Sequence, residues 1–153
     1  MTKSRLDAFS VALSEEGLAG SIAVLNANVG HRYTAVYRLE KAVLYDHALF
    51  DKLGKVRPAH LASVPLGVSF CQFVFKDGSF DTSDSAKDSR LNGHPYQRVV
   101  VSYTGVPITE HFGKGEIIGS LCHLDLGKQH LASDEFDLLQ QAARRITAPM
   151  MKS

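Results

Sequence analysis

Apolar residues follow a helical spacing at both ends of the chain. Near the amino terminus they keep two successive phases, the first with Leu6, Phe9 and Leu13 and the second with Leu18, Ile22, Leu25 and Val29. The phase changes at "EEGLAG", where Gly17 and Gly20 weaken a continuous helix. The pattern therefore predicts two helical pieces that end near Gly30.

The closing segment "SDEFDLLQQAARRI" has the pattern of an amphipathic helix. Its apolar face carries Phe136, Leu139, Ala143 and Ile146. Ser133 is placed as the N-cap, with acidic residues in the first turn and arginines in the last. We expect a helix from Ser133 to Ile146.

Strand-forming residues concentrate in two pairs of segments. The first pair, "HRYTAVYRLE" and "KAVLYDHALF", predicts a hairpin that turns at Glu40-Lys41. The second pair, "RVVVSYTGVPIT" and "EIIGSLCHLDL", is rich in Val and Ile and is separated by the segment from Thr109 to Glu116. We expect the second pair to form the centre of an antiparallel sheet.

The middle of the chain is less regular. By pattern alone "SFCQFVFKDG" fits either a buried helix or a strand, and Asp77-Gly78 marks a turn after it. The polar segment "DTSDSAKDSRLNGHP" contains Ser85 and Asp88 in the spacing of a capping box, and Asn92-Gly93 would end the short helix. The order of helices, hairpin, irregular middle, hairpin and helix predicts an α+β fold.

Composition and charge narrow the functional class. The 153 residues, 44% hydrophobic and 22% charged, are enough for a single domain from 1 to 153. A formal net charge of +1 with scattered basic residues argues against a nucleic-acid partner. No apolar run approaches the ~20 residues that span a bilayer, and the start lacks a secretory signal, so we expect a cytoplasmic protein without a membrane partner.

Several of these segments together resemble the GAF domains, which are small sensory modules of signalling proteins. The resemblance runs from about Leu18 to Ile146 and rests on "LNANVGHRYTAVYRL", "SFCQFVFKDG", "SDSAKDSRLNGHP", "SYTGVPI" and "GEIIGSLCHLD", followed by the closing helix. It implies a PAS-like central antiparallel sheet of five or six strands. The helices of both chain ends would pack on one face, and a ligand pocket would lie on the other. It also favours a helix starting at Ser69.

The resemblance implies a non-enzymatic sensory domain in signal transduction, with a small-molecule ligand or a signalling protein as partner and a homodimer as assembly. It names no particular cofactor, because such domains variously bind cyclic nucleotides, tetrapyrroles or other small molecules. One stand-alone branch, the free-methionine sulfoxide reductases, uses cysteine redox chemistry and provides an enzymatic alternative. A dimeric scaffold without a ligand is the third possibility.

The dipeptide Cys122-His123 suggests chemistry, but adjacent residues of a strand point to opposite faces. Alternation places Ile118, Ser120, Cys122 and Leu124 on one face. A redox pair of Cys71 with Cys122 stays open, whereas two unrelated core thiols are the simpler interpretation. The seven histidines show no metal-ligand spacing, and we expect most of them at the surface or in loops.

Site candidates come mainly from the polar middle segment, where a loop can turn side chains into a cleft. Arg90 can hold a carboxylate or phosphate, or it can pair locally with an aspartate while Asp84 and Asp88 cap the helix. We predict no catalytic residues and no metal site. The predicted ligand-binding residues are Cys71, Phe73, Asp84, Asp88, Arg90, His94 and Tyr103.

Overall fold

The computed structural model describes residues 2–111 and 114–151. This part of the chain contains four α-helices and six strands. The helices are α1 (Thr2–Asn26), α2 (Ala59–Ala62), α3 (Cys71–Asp77) and α4 (Ser133–Met151). The strands are β1 (Tyr33–Glu40), β2 (Val43–Asp51), β3 (Ser63–Pro65), β4 (Phe80–Thr82), β5 (Ser102–His111) and β6 (Lys114–Asp125). Short 3-10 helices cover Leu66–Val68, Ser85–Lys87 and Ser89–Leu91. The α+β prediction is confirmed.

The six strands form one antiparallel sheet in the order β3-β2-β1-β6-β5-β4. β1 and β6 are the central pair, and Thr34 lies opposite His123. The sequence predicted β5 and β6 as the centre, but β5 is one strand further out. β3 and β4 form the two edges of the sheet, and each has only three residues.

Helices α1 and α4 pack together on one face of the sheet, as predicted. The core on this side includes Phe9, Ile22, Leu25, Val36, Leu121, Leu139 and Ile146. α1 is broken at Gly17, whose φ of 78° lies outside the helical region, so the prediction of two helical pieces is confirmed. In each of the two helical pieces, the apolar residues with helical spacing form a stripe that is buried against the core.

By length and composition alone, the stretch Ser4–Asn26 of α1 is apolar enough to cross a membrane, with a mean hydropathy of 1.3. The sequence analysis expected no stretch of this kind. In the structure Phe9, Ile22 and Leu25 are buried in the core beneath the helix. Packing against the sheet therefore accounts for only part of the apolar character, because other apolar residues of α1, such as Val11, are exposed.

The opposite face of the sheet has a second core. It is covered by α3 and the irregular segments around it, which are called the cover below. This core includes Tyr33, Tyr37, Leu44, Phe70, Val74, Leu91, Tyr103, Cys122 and Leu124. α3 confirms the helix predicted for "SFCQFVFKDG", although it begins at Cys71 rather than Ser69, and Gly78 ends it in the left-handed conformation. The site described below lies in this core.

Strand β6 contributes to both cores, as its alternation predicted. Cys122 and Leu124 lie in the core under α3, while Leu121 lies in the core under α1 and α4. Ile118 was wrongly assigned to the Cys122 face. Ile108 pairs with Gly119 and Thr109 with Ile117, so Ile118 is the extra residue of a β-bulge and packs on the helical side.

Several boundaries also differ from the predictions. The first hairpin turns at Lys41-Ala42 instead of Glu40-Lys41, because Glu40 still pairs with Val43. β5 and β6 continue until His111 pairs with Lys114, so most of the predicted loop is strand, and residues 112 and 113 lie outside the described residues. β5 begins only at Ser102. α4 extends to Met151, beyond the predicted end at Ile146, because buried Met150 continues the apolar face.

Candidate functional site

A small cavity lies between the sheet and the α3 cover. Its volume is about 50 Å³. The sheet contributes Tyr37, Tyr103 and Leu124, and the cover closes it from above. The other lining residues are Leu61, Val64, Ser69, Phe70, Cys71, Tyr96 and Val100. Most of these side chains are apolar or aromatic.

Polar atoms on the cavity wall have partners inside the protein. The Tyr37 hydroxyl donates to the Leu61 carbonyl at 2.8 Å, and Ser69 Oγ donates to the Leu66 carbonyl at 2.8 Å. Cys71 Sγ lies 3.2 Å from the Tyr103 hydroxyl and 3.2 Å from Ser120 Oγ. A ligand in this space would therefore meet a mainly apolar surface.

The two cysteines are free and buried in the same core. Burial raises the pKa of the Cys71 thiol, and burial raises the pKa of the Cys122 thiol further. Both side chains are consequently thiols rather than thiolates near neutral pH, and only the thiolate is a strong nucleophile. In this structure both cysteines are therefore weak nucleophiles for thiol redox chemistry.

Gly105 explains how Tyr103 reaches Cys71. The Tyr103 ring lies across Gly105 on the same face of β5, where a Cβ atom would come within about 2.5 to 2.8 Å of ring and hydroxyl atoms. Glycine at this position lets the ring lie flat along the strand. The phenol then extends to the thiol on α3.

His94 lies beside the cavity, in contact with aromatic residues that cover it. Its ring centroid is 4.8 Å from that of Phe70 and 5.9 Å from that of Phe73. Nδ1 accepts the backbone N–H of Tyr96 at 3.1 Å, so the neutral ring carries its proton on Nε2. Nε2 is buried without a hydrogen-bond partner. Burial lowers the pKa of His94, and a weaker hydrogen-bonding interaction with the Ser69 backbone raises it by a smaller amount.

The predicted polar residues Asp84, Asp88 and Arg90 are engaged locally. Asp84 accepts from the Ala86 N–H at 3.2 Å, and Asp88 accepts from the Arg90 N–H at 3.1 Å, so each caps a 3-10 helix. The capping box that starts at Ser85 is wrong, because Ser85 Oγ is buried and accepts from the backbone N–H of Arg98 at 2.9 Å.

The Arg90 guanidinium makes contacts on three sides. It donates to both carboxylate oxygens of Asp88 at 2.9 and 2.5 Å and to the Asp81 carbonyl at 2.7 Å, and it lies over the Phe80 ring at 4.4 Å. The hydrogen bond from Arg90 lowers the pKa of Asp88 to about 2. Arg90 therefore acts as a clamp on the 88–91 segment in this conformation.

The structure divides the predicted site residues into two groups. Cys71 and Tyr103 line the cavity, and Phe73 and His94 pack beside it. Asp84, Asp88 and Arg90 are not among its lining residues, so their role in ligand binding stays a prediction. The sequence analysis missed the lining residues Tyr37, Leu61, Val64, Ser69, Phe70, Tyr96, Val100 and Leu124.

A second polar group lies on the other side of the sheet, under α1. His31 and His123 are fully buried with ring centroids 5.7 Å apart. His31 lies in the loop before β1, whereas His123 lies in β6, so His123 is an exception to the expectation that most histidines are at the surface or in loops. Asn26 donates to Thr34 Oγ1 at 2.8 Å, and Thr34 Oγ1 shares a second hydrogen bond of 2.6 Å with His123 Nδ1. Both ring nitrogens of His31 lack a partner. Among residues 2–111 and 114–151, no three His, Cys, Asp or Glu side chains are placed to hold a metal ion.

Comparisons with known proteins identify the fold. No family model and no curated protein matches the sequence. The structure is similar to the GAF domain of a phosphoenolpyruvate-protein phosphotransferase from Acinetobacter, with a TM-score of 0.78, 12% identity, and coverage of 99% of this chain and 94% of that one.

Two further solved structures have other functions. One is the free methionine-R-sulfoxide reductase from Neisseria meningitidis in complex with its substrate, with a TM-score of 0.75, 17% identity, and coverage of 98% and 88%. The other is the phycocyanobilin-bound GAF domain of a cyanobacterial phytochrome, with a TM-score of 0.70, 17% identity, and coverage of 99% and 97%. Identities this low establish architecture and leave function open. This chain therefore has the GAF-domain fold.

Proposed function

We propose that this protein is a non-enzymatic sensory or regulatory domain that binds a small, mainly apolar molecule in the cavity under α3. The supporting observation is the cavity itself, an apolar space whose wall combines Tyr37 and Tyr103 from the sheet with Phe70 from the cover. Concave apolar sites with a few polar groups are the usual places for small ligands. A change in the cover would then carry the signal to a protein partner.

The size of the cavity restricts the ligand in this conformation. A volume of about 50 Å³ is well below the roughly 300–1,000 Å³ of pockets for drug-sized ligands. A nucleotide or a tetrapyrrole would enter only after the cover had moved. The cover consists of the four-residue α2, the start of the seven-residue α3 and the segment that carries Tyr96 and Val100, short elements with few backbone hydrogen bonds to hold them closed.

His94 supplies a polar contact for such a ligand. Its buried Nε2 packs beside the cavity residue Phe70 and interacts only weakly with the Ser69 backbone. A carbonyl or carboxylate oxygen on the ligand would satisfy this donor and remove the cost of leaving it unpaired. The ligand class is thus an apolar or aromatic body with one hydrogen-bond acceptor.

Native mass spectrometry of protein purified from its source tests the proposal directly, because a retained molecule would identify the ligand. In parallel, benzoate, indole, cyclic AMP and biliverdin are titrated while backbone amide NMR signals are followed. Val100→Phe fills the cavity and should abolish binding. Val99→Phe makes the same change at the neighbouring position, which is 43% exposed, and should leave binding intact.

An empty protein that responds to none of the four probes would contradict ligand binding and favour the scaffold alternative. Equal binding by the Val100→Phe and Val99→Phe variants would also contradict it, because the ligand would then lie elsewhere.

The reductase remains the second candidate because Cys71 lines the cavity and shares its core with Cys122. The raised pKa values of both thiols oppose it. Reduction of free methionine sulfoxide by the parent protein, lost in Cys71→Ser or Cys122→Ser, would establish the enzyme. Absence of activity in the parent protein would exclude this substrate.

A further inference from the structure

The outer edge of β2 is paired along only part of its length. β3 covers Val43 to Tyr45, and from Asp46 to Asp51 no strand lies beside β2 in the described part of the chain. Along an unpaired edge, backbone N–H and C=O groups point outward at alternate residues. Another extended backbone matches donors and acceptors in that pattern and can replace the water bound to them.

A groove runs along this edge, between the strand and the loop that follows it. Its lining consists of residues 46–51 of β2 and residues 54–57 of the loop, and its volume is about 600 Å³. The six strand residues span about 20 Å at ~3.3 Å per residue, the length of a typical short strand. The groove is therefore long enough for four or five residues of an added chain.

The loop is attached to β2 at its two ends through side chains. At one end the Asp51 carboxylate accepts from the Leu53 and Lys55 N–H groups at 2.9 and 3.2 Å. At the other end Arg57 donates to Asp46 Oδ2 at 2.6 Å. Between these contacts the Val56 side chain is 93% exposed. An incoming strand could lie between the loop and β2 once Arg57 is displaced from Asp46, while the Asp51 attachment stays in place.

Asp46 independently indicates a missing donor in this groove. Its side chain is only 4% exposed, and the carboxylate oxygen Oδ1 has no hydrogen-bond partner. Leaving such an acceptor unpaired destabilises the folded protein. A backbone N–H brought into the groove would satisfy Oδ1 after a small displacement of Arg57.

We propose that this edge binds an extended, acidic and apolar segment of a protein partner as an additional antiparallel strand. The charges favour acidic side chains. Asp46 and Asp51 are already paired with Arg57 and Arg32, while no described carboxylate pairs with the Lys55 ammonium. Exposed Val56 provides an apolar contact for side chains between the acidic ones. Backbone pairing supplies affinity, and the side chains supply selectivity.

NMR titration of the ¹⁵N-labelled protein with the peptide acetyl-Glu-Val-Thr-Val-Glu-amide tests the proposal. Binding should slow hydrogen exchange at alternate amides between Ala48 and Asp51. N-methylation of two alternate peptide nitrogens removes two hydrogen bonds and should weaken binding about tenfold. Lys55→Glu should weaken it about threefold to fivefold, whereas Lys76→Glu, an equal charge change at an exposed site on α3, should have no effect.

Equal binding of the N-methylated peptide would overturn the proposal, because backbone pairing would then play no part. The same holds if the shifted signals cluster in the cavity under α3. Protection of the β2 amides that rises with protein concentration and needs no peptide would also overturn it, because a second copy of the chain would then occupy the edge.

Discussion

At the scale of single residues, buried His31 and His123 are the most unusual feature of the core. They lie under α1 with their rings in contact, and His31 makes no hydrogen bond through either nitrogen. Burial lowers the pKa of His31 to about 4 and the pKa of His123 to about 3. Both rings are therefore neutral in the folded protein, whereas both bind protons in the unfolded chain below pH ~6.5.

This difference predicts a steep loss of stability in mild acid. Between pH ~6.5 and ~4 the unfolded state binds up to two more protons, so the free energy of unfolding falls by up to about 2.7 kcal/mol per pH unit as the pH decreases. Above pH ~6.5 both histidines are neutral in the folded and the unfolded state, so they no longer reduce the free energy of unfolding. Urea denaturation between pH 4.5 and 7.5 measures the slope.

The same titration on His31→Phe separates the two histidines. Removing one of them should lower the slope in this range by up to about 1.4 kcal/mol per pH unit, and loss of the two unpartnered nitrogens should raise stability at pH 7. Identical slopes for parent and variant would show that His31 does not titrate in this way.

Gly105 provides a test of how Tyr103 is held in the cavity wall. In Gly105→Ala the new methyl group would collide with the Tyr103 ring and move the phenol away from Cys71. We expect a loss of about 1–3 kcal/mol in the free energy of unfolding. Gly127→Ala is the control, because no atom lies within 4 Å of its added Cβ. Equal stability of the two variants would contradict this account of the glycine.

At the scale of elements, the β1–β2 turn is a point of local strain. Lys41 and Ala42 have φ angles of 48° and 65°, the left-handed region that a tight hairpin turn requires. Ala42→Gly should therefore stabilise the protein by about 1 kcal/mol. Ala8→Gly, on the exposed face of α1, should destabilise it by about 0.5–1 kcal/mol, as glycine does in helices. Thermal denaturation compares both variants, and a destabilised Ala42→Gly variant would contradict the strain.

Long, regularly patterned elements could be predicted from the sequence. β6 was predicted because Leu121, Cys122 and Leu124 alternate between two apolar faces, and α4 because its apolar residues keep a helical spacing. Ser133, the predicted N-cap, is instead the first residue of the helix, and Ala132 accepts the hydrogen bond from the Phe136 N–H. Three-residue β3 and β4 are too short to show any period. The bulge at Ile118 was also invisible, because it depends on the partner strand.

The candidate site could be predicted only where a local signal existed. Cys71 and Tyr103 were found because chemically distinctive residues fell in recognisable segments. Asp84 and Asp88 carry the same signal whether they cap a helix or bind a ligand, and the structure shows capping. The burial of His31 depends on its contact with His123, far away in sequence, so no local pattern reveals it.

At the scale of the whole molecule, α1 and α4 provide the surface on which we propose that two copies associate. Their buried stripes are already used against the sheet, and Val11 on α1 is 55% exposed. Light scattering at tens of micromolar should give a dimer. Val11→Glu should shift it towards the monomer, while Val99→Glu, at another exposed valine, should not. A monomeric parent protein would contradict the proposal.

The pairing of β1 with β6 also has a consequence for how the chain is made. Thr34 and His123 meet in the centre of the sheet although 89 positions separate them. A ribosome adding about 5–20 residues per second needs about 4 to 18 s to supply the second strand after the first. During that time a β1–β2 hairpin lacks its β6 neighbour and the α3 side of its core, and only α1 is available to cover one of its faces. Nascent chains of this protein are therefore most exposed to aggregation in that interval, and the distant pairing also makes refolding slow.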